Sequence, residues 1–229
     1  MTRRTFAVGV IVATLIGAGG MALAQPRPSE PDGHLKAGAG HIEGYRSAQF
    51  GMTGDEVRGA ITKDFSVEPS AIQTLPNPAE GTTALVVQLP ELPPGPGPVT
   101  ITYILGATSH RLIRANVIWF AASPAPDRRR EFAAAGVALA DYFTSAPNRP
   151  LNSGPGGQLG PNAVLLYVAA DDHGAALEVA AEGIAFQVTD TKTKVTKNSA
   201  EPAGPALLRV SYIADALHPD VKRLMPGAF

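Results

Sequence analysis

Asp171-Asp172-His173 places two carboxylates and an imidazole on three consecutive residues, a set able to hold a divalent cation or to act as an acid–base pair. Its setting points to a plainer role. The trio ends in Gly174 between two apolar runs, the composition of a hairpin tip, and neighbouring residues in a strand point to opposite faces. No spaced His or Glu adds a further ligand in the adjoining sequence, so the expected metal-ligand set is empty. The histidines stand at 34, 41, 110, 173 and 218, and none forms the His-x-x-x-His or His-x-His spacing of a zinc site.

Other chemistries are equally unsupported. Ser153-Gly154 sits in a Pro/Gly stretch without the Gly-x-Ser-x-Gly turn that strains a serine nucleophile. Gly154-Pro155-Gly156-Gly157 is no phosphate cradle, because no Lys-Ser/Thr follows and proline removes an amide that such a loop needs. The chain has no cysteine, which excludes thiolate catalysis, iron–sulfur clusters, Cys-ligated zinc and a disulfide framework. No catalytic or cofactor-binding residue is therefore expected, and a non-enzymatic binding module is. Two other readings stay open. A hydrolase-like enzyme would bring Asp171, His173 and one of Asp215 or His218 together in a deep pocket, whereas a passive spacer would show neither a pocket nor a broad apolar patch.

The formal charge of −1 argues against nucleic acid as a partner, since phosphate binding needs a basic face. Arg128-Arg129-Arg130 is the densest run of cations. At a helix start it opposes the dipole, as a docking patch for an acidic partner or as a solvated edge. Lys192, Lys194 and Lys197 alternate with threonines, as charges guarding an edge strand do.

Periodicity supplies the elements around these residues. Thr53 and Glu56 form a capping box, Met52 and Val57 occupy the staple positions, and Val57, Ala60, Ile61 and Phe65 recur at helical spacing, which predicts a helix over 54–64. Period-two alternation in Leu85, Val87, Leu89, then Val99 to Leu105, then Ile113, Ala115, Val117, Trp119 predicts an antiparallel meander buried by that helix. Pro126-Asp127 opens a second helix with a Phe132, Gly136, Leu139, Ala140, Phe143 stripe, and Pro147 follows it. Further strands are expected at 164–169, 175–181, 184–188 and 207–213. The Pro/Gly blocks at 90–98, 147–161 and 198–205 read as connections, the first a rigid hairpin link.

The order helix, strands, helix, strands gives an α+β fold of tandem helix-plus-antiparallel-sheet units, 45–122 and 123–229. The alternative is one antiparallel sheet with both helices on one face. Phe50-Gly51-Met52-Thr53, continuing to Glu56-Val57, resembles the segment that opens the first helix in the SmpA/OmlA (BamE) group of envelope lipoproteins and in the related β-lactamase-inhibitor-protein fold. The resemblance implies a helix packed on a short antiparallel sheet and a trade in binding other proteins. The lipoproteins' anchoring cysteine is missing here.

Before the first unit stand two further segments. Residues 1–24 have the three parts of an export signal: Arg3 and Arg4, an uncharged apolar run from Thr5, and Ala22-Leu23-Ala24 ahead of the expected cut. Gly9, Gly17, Gly19 and Gly20 weaken the run as a membrane-spanning helix, so no lasting span is expected. Arg3-Arg4-Thr5-Phe6 fits either a general or a twin-arginine signal. Residues 25–44, rich in Pro and Gly, read as a flexible lead. The expected product is an exported, periplasmic or secreted protein whose partner is another envelope protein or a small apolar ligand.

Overall fold

A computed structural model describes residues 12–14, 40–189 and 196–222. The rest of the signal segment, the lead through residue 39, and Lys192 and Lys194 lie outside the described residues. The strands of the main sheet are β1 (Gln73–Asn77), β2 (Thr82–Leu89), β3 (Val99–Leu105), β4 (Leu112–Ala121), β5 (Asn152–Gly154), β6 (Gln158–Gly160), β7 (Ala163–Ala170), β8 (Ala176–Glu182) and β9 (Ala206–Ile213). Their spatial order is β1-β2-β3-β4-β9-β8-β7-β5, with β6 also paired to β7. Helices α1 (Gly54–Phe65) and α2 (Pro126–Ser145) complete an α+β fold.

The helix-then-strands pattern does recur along the chain, but the two halves share one sheet. They join edge to edge where β4 pairs with β9, from Ala121 opposite Ala206 to Arg114 opposite Ile213. Residues directly opposite one another share a face. Ile101, Val117, Val210 and Val179 are linked in one such row, and Tyr103, Ala115, Tyr212 and Leu177 in the next. All eight are buried in one core with Val57 and Ile61 of α1 and Phe132, Leu139 and Phe143 of α2. The layout is thus the single sheet with both helices on one face.

α1 starts where the capping box places it. The Thr53 hydroxyl accepts the Glu56 N–H, and the Glu56 carboxylate accepts the Thr53 N–H at 2.7 Å. That backbone bond is also the main reason the Glu56 carboxyl titrates below its ordinary range. The preceding Gly51-Met52 backbone is laced to β4 by Gly51 N–H to the Leu112 carbonyl (2.9 Å) and Leu112 N–H to the Met52 carbonyl (2.8 Å). The 51–56 segment therefore fixes both the helix start and its distance from the sheet. α2 buries Phe132, Ala133, Ala135, Gly136, Leu139 and Phe143, largely the expected stripe. A Cβ on Gly136 would meet Leu166 Cδ1 at 2.5 Å, so glycine sets how closely this helix approaches the sheet.

Several expectations are corrected. A register shift between Ile104 and Leu105 of β3 puts Leu112, not Ile113, opposite Leu105, so Leu112 enters the core. The expected strand 184–188 shortens to Gln187–Thr189, because Gly183 (φ +65°) turns the chain first; Ile184 and Phe186 are buried without strand pairing. β1 is an edge strand with every residue exposed and a proline at 76, tied to α1 by Arg58 bonds to the Ile72 carbonyl and the Thr74 hydroxyl. β5 and β6 form the opposite edge within the Pro/Gly block 147–161. The end of the lead is packed, with Ile42 in the core and its N–H given to Asp171 Oδ2 at 2.8 Å. Among the described residues no helix is long and apolar enough to cross a membrane.

Candidate functional site

The 171–174 turn between β7 and β8 forms as its composition implies. Asp171 Oδ1 accepts the N–H groups of His173 and Ala175, both at 2.9 Å, and its side chain is almost wholly buried. Asp171 and His173 line an open hollow with His41, Glu43, Gln49, Phe50 and Ala214. Asp215 and His218 line a different one, together with Arg114, Glu80 and Asp220. Asp171 and His173 thus face one hollow and Asp215 and His218 another, with Asp215 reaching back only as far as Gly174. Asp215 is engaged in its own turn, accepting the Leu217 and His218 N–H groups at 2.9 and 2.8 Å, and the His218 N–H is the main cause that lowers its carboxyl.

The other singled-out residues have structural work. Ser153 lies in edge strand β5 opposite Ala169. Arg128 and Arg130 pair with Glu131 and Asp127 one turn away. Arg129 reaches across to the carbonyls of Gly183 (2.6 Å) and Gly204 (2.5 Å). The outer two arginines of the run are thus paired on the helix itself, and the middle one fastens α2 to the loops beside β8 and β9. Lys197 is exposed on Thr196–Asn198, a strand paired with Gln187–Thr189.

The feature with the character of a binding site lies elsewhere. Between the 44–49 hairpin, the C-terminal half of α2 and the 90–98 Pro loop is a mainly apolar cleft, lined by Tyr45, Leu92, Pro93, Pro94, Trp119, Leu139, Tyr142, Phe143 and Tyr212, with Arg46 at its edge. Its free interior is ≈ 40 Å³, and the space out to its open mouth is ≈ 450 Å³. An inserting group is therefore a ring or the end of a chain, with the rest of the molecule outside.

The cleft walls are rigid for identifiable reasons. Trp119 is fully buried and gives its indole N–H to the Leu92 carbonyl at 3.1 Å. The Pro loop can lie against the indole because residue 95 is glycine; a Cβ there would run into the Trp119 ring. Tyr45 and Tyr212 pack with ring centroids 5.2 Å apart, and Phe143 closes edge-on against Tyr212 at 6.5 Å. Burial pushes the Tyr212 and Tyr103 hydroxyls well above the ordinary phenol range, and raises Tyr45 against the opposing pull of Arg46. All three are neutral at physiological pH.

Arg46 is the charged residue among those that line the cleft. Its backbone sits at φ +54°, its guanidinium lies over the Phe65 ring at 4.7 Å, and it donates to the Asp64 carbonyl at 3.2 Å. Alternation places Trp119 in the core, and the Pro/Gly block reads as a connection. The cleft itself joins residues from 45 to 212, and no local pattern marks that meeting. No family model, curated protein or solved structure matches this chain.

Proposed function

We propose that this chain is an exported, non-enzymatic binding protein that takes the apolar end of a small amphipathic molecule into the Trp119 cleft, with an anionic end at Arg46. The observation that carries the reading is the cleft itself: rigid aromatic and proline walls, neutral phenols and one cation at the mouth. The separation of Asp171 and His173 from Asp215 and His218 favours it over a hydrolase. Apolar insertion supplies roughly 25 cal/mol per Å² covered, and Arg46 supplies orientation. Export rests on the N-terminal signal features, and N-terminal sequencing of envelope-fraction protein should begin at Gln25.

Trp119 is the only tryptophan, so its emission reports on the cleft directly. Medium-chain alkyl carboxylates should shift that emission saturably. Arg46→Gln should weaken them about tenfold while leaving the matching alkyl alcohols unchanged. The absence of any saturable change up to the solubility limit, or equal losses for acid and alcohol, defeats the respective part of the proposal.

A further inference from the structure

We infer that His41, Asp172 and His173 form a surface binding site for a divalent transition-metal cation, with Asp171 as the residue that positions it. The site lies beside the open hollow lined by His41, Asp171 and His173, and it does not depend on the ligand cleft. His41 comes from the end of the Pro/Gly lead, and the other two come from the β7–β8 turn, His173 lying 132 residues later.

Three ligand atoms form a nearly equilateral triangle. His41 Nδ1 and His173 Nδ1 are 2.9 Å apart, His173 Nδ1 is 3.1 Å from Asp172 Oδ1, and His41 Nδ1 is 3.3 Å from that same oxygen. For metal–ligand bonds of about 2.1 Å, adjacent ligands stand about 3.0 Å apart in octahedral geometry and about 3.4 Å apart in tetrahedral geometry. The observed edges lie close to that interval, so the three atoms are already spaced as the ligands of one cation are. Asp171 also lies near enough to contribute, since its oxygen and the two imidazole nitrogens all fall within 4.8 Å of one another.

The donor chemistry selects the class of metal. Two imidazoles and a carboxylate suit Zn²⁺, Fe²⁺, Co²⁺ or Ni²⁺ better than Ca²⁺ or Mg²⁺, which favour all-oxygen sites. His173 and Asp172 are mostly exposed, so coordination positions on the outer side stay open to solvent. Two carboxylates beside the imidazoles match a dication in charge.

The backbone that carries the triangle is held in place. Asp171 Oδ1 fixes the turn through His173 and Ala175 N–H, while Oδ2 takes the N–H of Ile42 and so brings His41 to it. Ile42 is itself core-packed, which limits how far His41 can stray. A bound cation would cross-link the lead to the sheet and stabilise the folded state by mass action.

The test is calorimetric titration of the tag-free full-length chain with ZnCl₂, alongside its thermal melt with and without the metal. We expect one Zn²⁺ per chain and a raised Tm. His41→Ala, His173→Ala and Asp172→Asn should each weaken binding at least tenfold and abolish the Tm rise, while His110→Ala and His218→Ala retain both. Asp171→Asn should weaken binding by loosening His41, and circular dichroism verifies that each variant is folded. Stoichiometric binding that His218→Ala removes, or that His41→Ala and His173→Ala leave intact in folded protein, overturns the site, as does no binding at 100 μM Zn²⁺. Mg²⁺ binding as tightly as Zn²⁺ overturns the assignment of metal class.

Discussion

α1 begins at a capping box whose atoms all lie between Thr53 and Glu56, whereas α2 begins at Ala125 with no side-chain cap and three arginines set against its own dipole. Both helices cover the same sheet face, yet α2 is the longer, 20 residues against 12, and it packs on β7, β8 and β9. One is specified locally and seated briefly. The other is held by distant partners, among them Phe132 in the core, Gly136 against Leu166, and Arg129 on two loop carbonyls. Helix position is therefore secured by different means in the two halves, and substitutions can separate them.

The largest effect is expected from Phe132→Ala. Removing this fully buried ring should cost about 3–5 kcal/mol, and Val57→Ala on α1, which deletes two methyl groups, about 2 kcal/mol. Urea unfolding of both variants measures the difference. Equal losses would mean that α1 carries as much of the core as α2, and the contrast drawn from packing would fail.

Arg129→Ala tests the long-range fastening. Loss of two charge-assisted bonds to the Gly183 and Gly204 carbonyls should destabilise the chain by about 2 kcal/mol. Arg129→Lys should recover only part of this, since an ammonium cannot span both carbonyls as a guanidinium fork does. Full rescue by lysine would reduce the role of Arg129 to simple charge. Arg128→Ala and Arg130→Ala, whose partners are exposed neighbours on the same helix, should change stability by less than about 0.5 kcal/mol.

The caps give smaller and opposite shifts. Thr53→Ala should cost about 1 kcal/mol, and Ala125→Asp should stabilise by about 0.5–1 kcal/mol, since the extended backbone there suits a cap and the new carboxylate faces the uncompensated dipole. Thermal melts of the two variants are the measurement. If Ala125→Asp is neutral, Asp127 and Glu131 already offset the dipole and the arginines at that helix end, and α2 needs no further local specification.

The same contrast explains what could be seen in the chain beforehand. The α1 cap, the meander and the α2 stripe are written over a few residues each, so periodicity located them. The β4–β9 pairing that fuses the halves joins residues 114–121 to 206–213, and nothing in either segment names its partner. β1 was hidden because its residues are exposed and Pro76 reads as a breaker, although an edge strand tolerates both. The 171–174 turn was legible, but His41 beside it was not. It follows a Pro/Gly lead with no periodicity, and what brings it there is the neighbouring Ile42, buried in the core and bonded through its N–H to the Asp171 carboxylate.

Asp220 ties the C-terminal segment back to the turn between β3 and β4, and its effect should be visible chiefly as pH dependence. Oδ1 accepts the Thr108 N–H at 3.0 Å and Oδ2 the Ser109 N–H at 2.8 Å. These bonds, with the Ser109 side chain the foremost contributor, hold the carboxyl down to about 2 from the ordinary 3.8. A depressed carboxyl pKa means that the unfolded chain takes up the proton first. The stabilisation is therefore complete above the unfolded value of 3.8 and fades as pH falls toward about 2. The stability gap between wild type and Asp220→Asn, from urea melts at pH 7, 4 and 2.5, should be constant at the upper end and shrink at the lower. A gap as large at pH 2.5 as at pH 7 would assign the tie to packing rather than to the ionised carboxylate. That outcome would place the C-terminal segment with α2, held by shape, instead of with α1, held by a polar clasp.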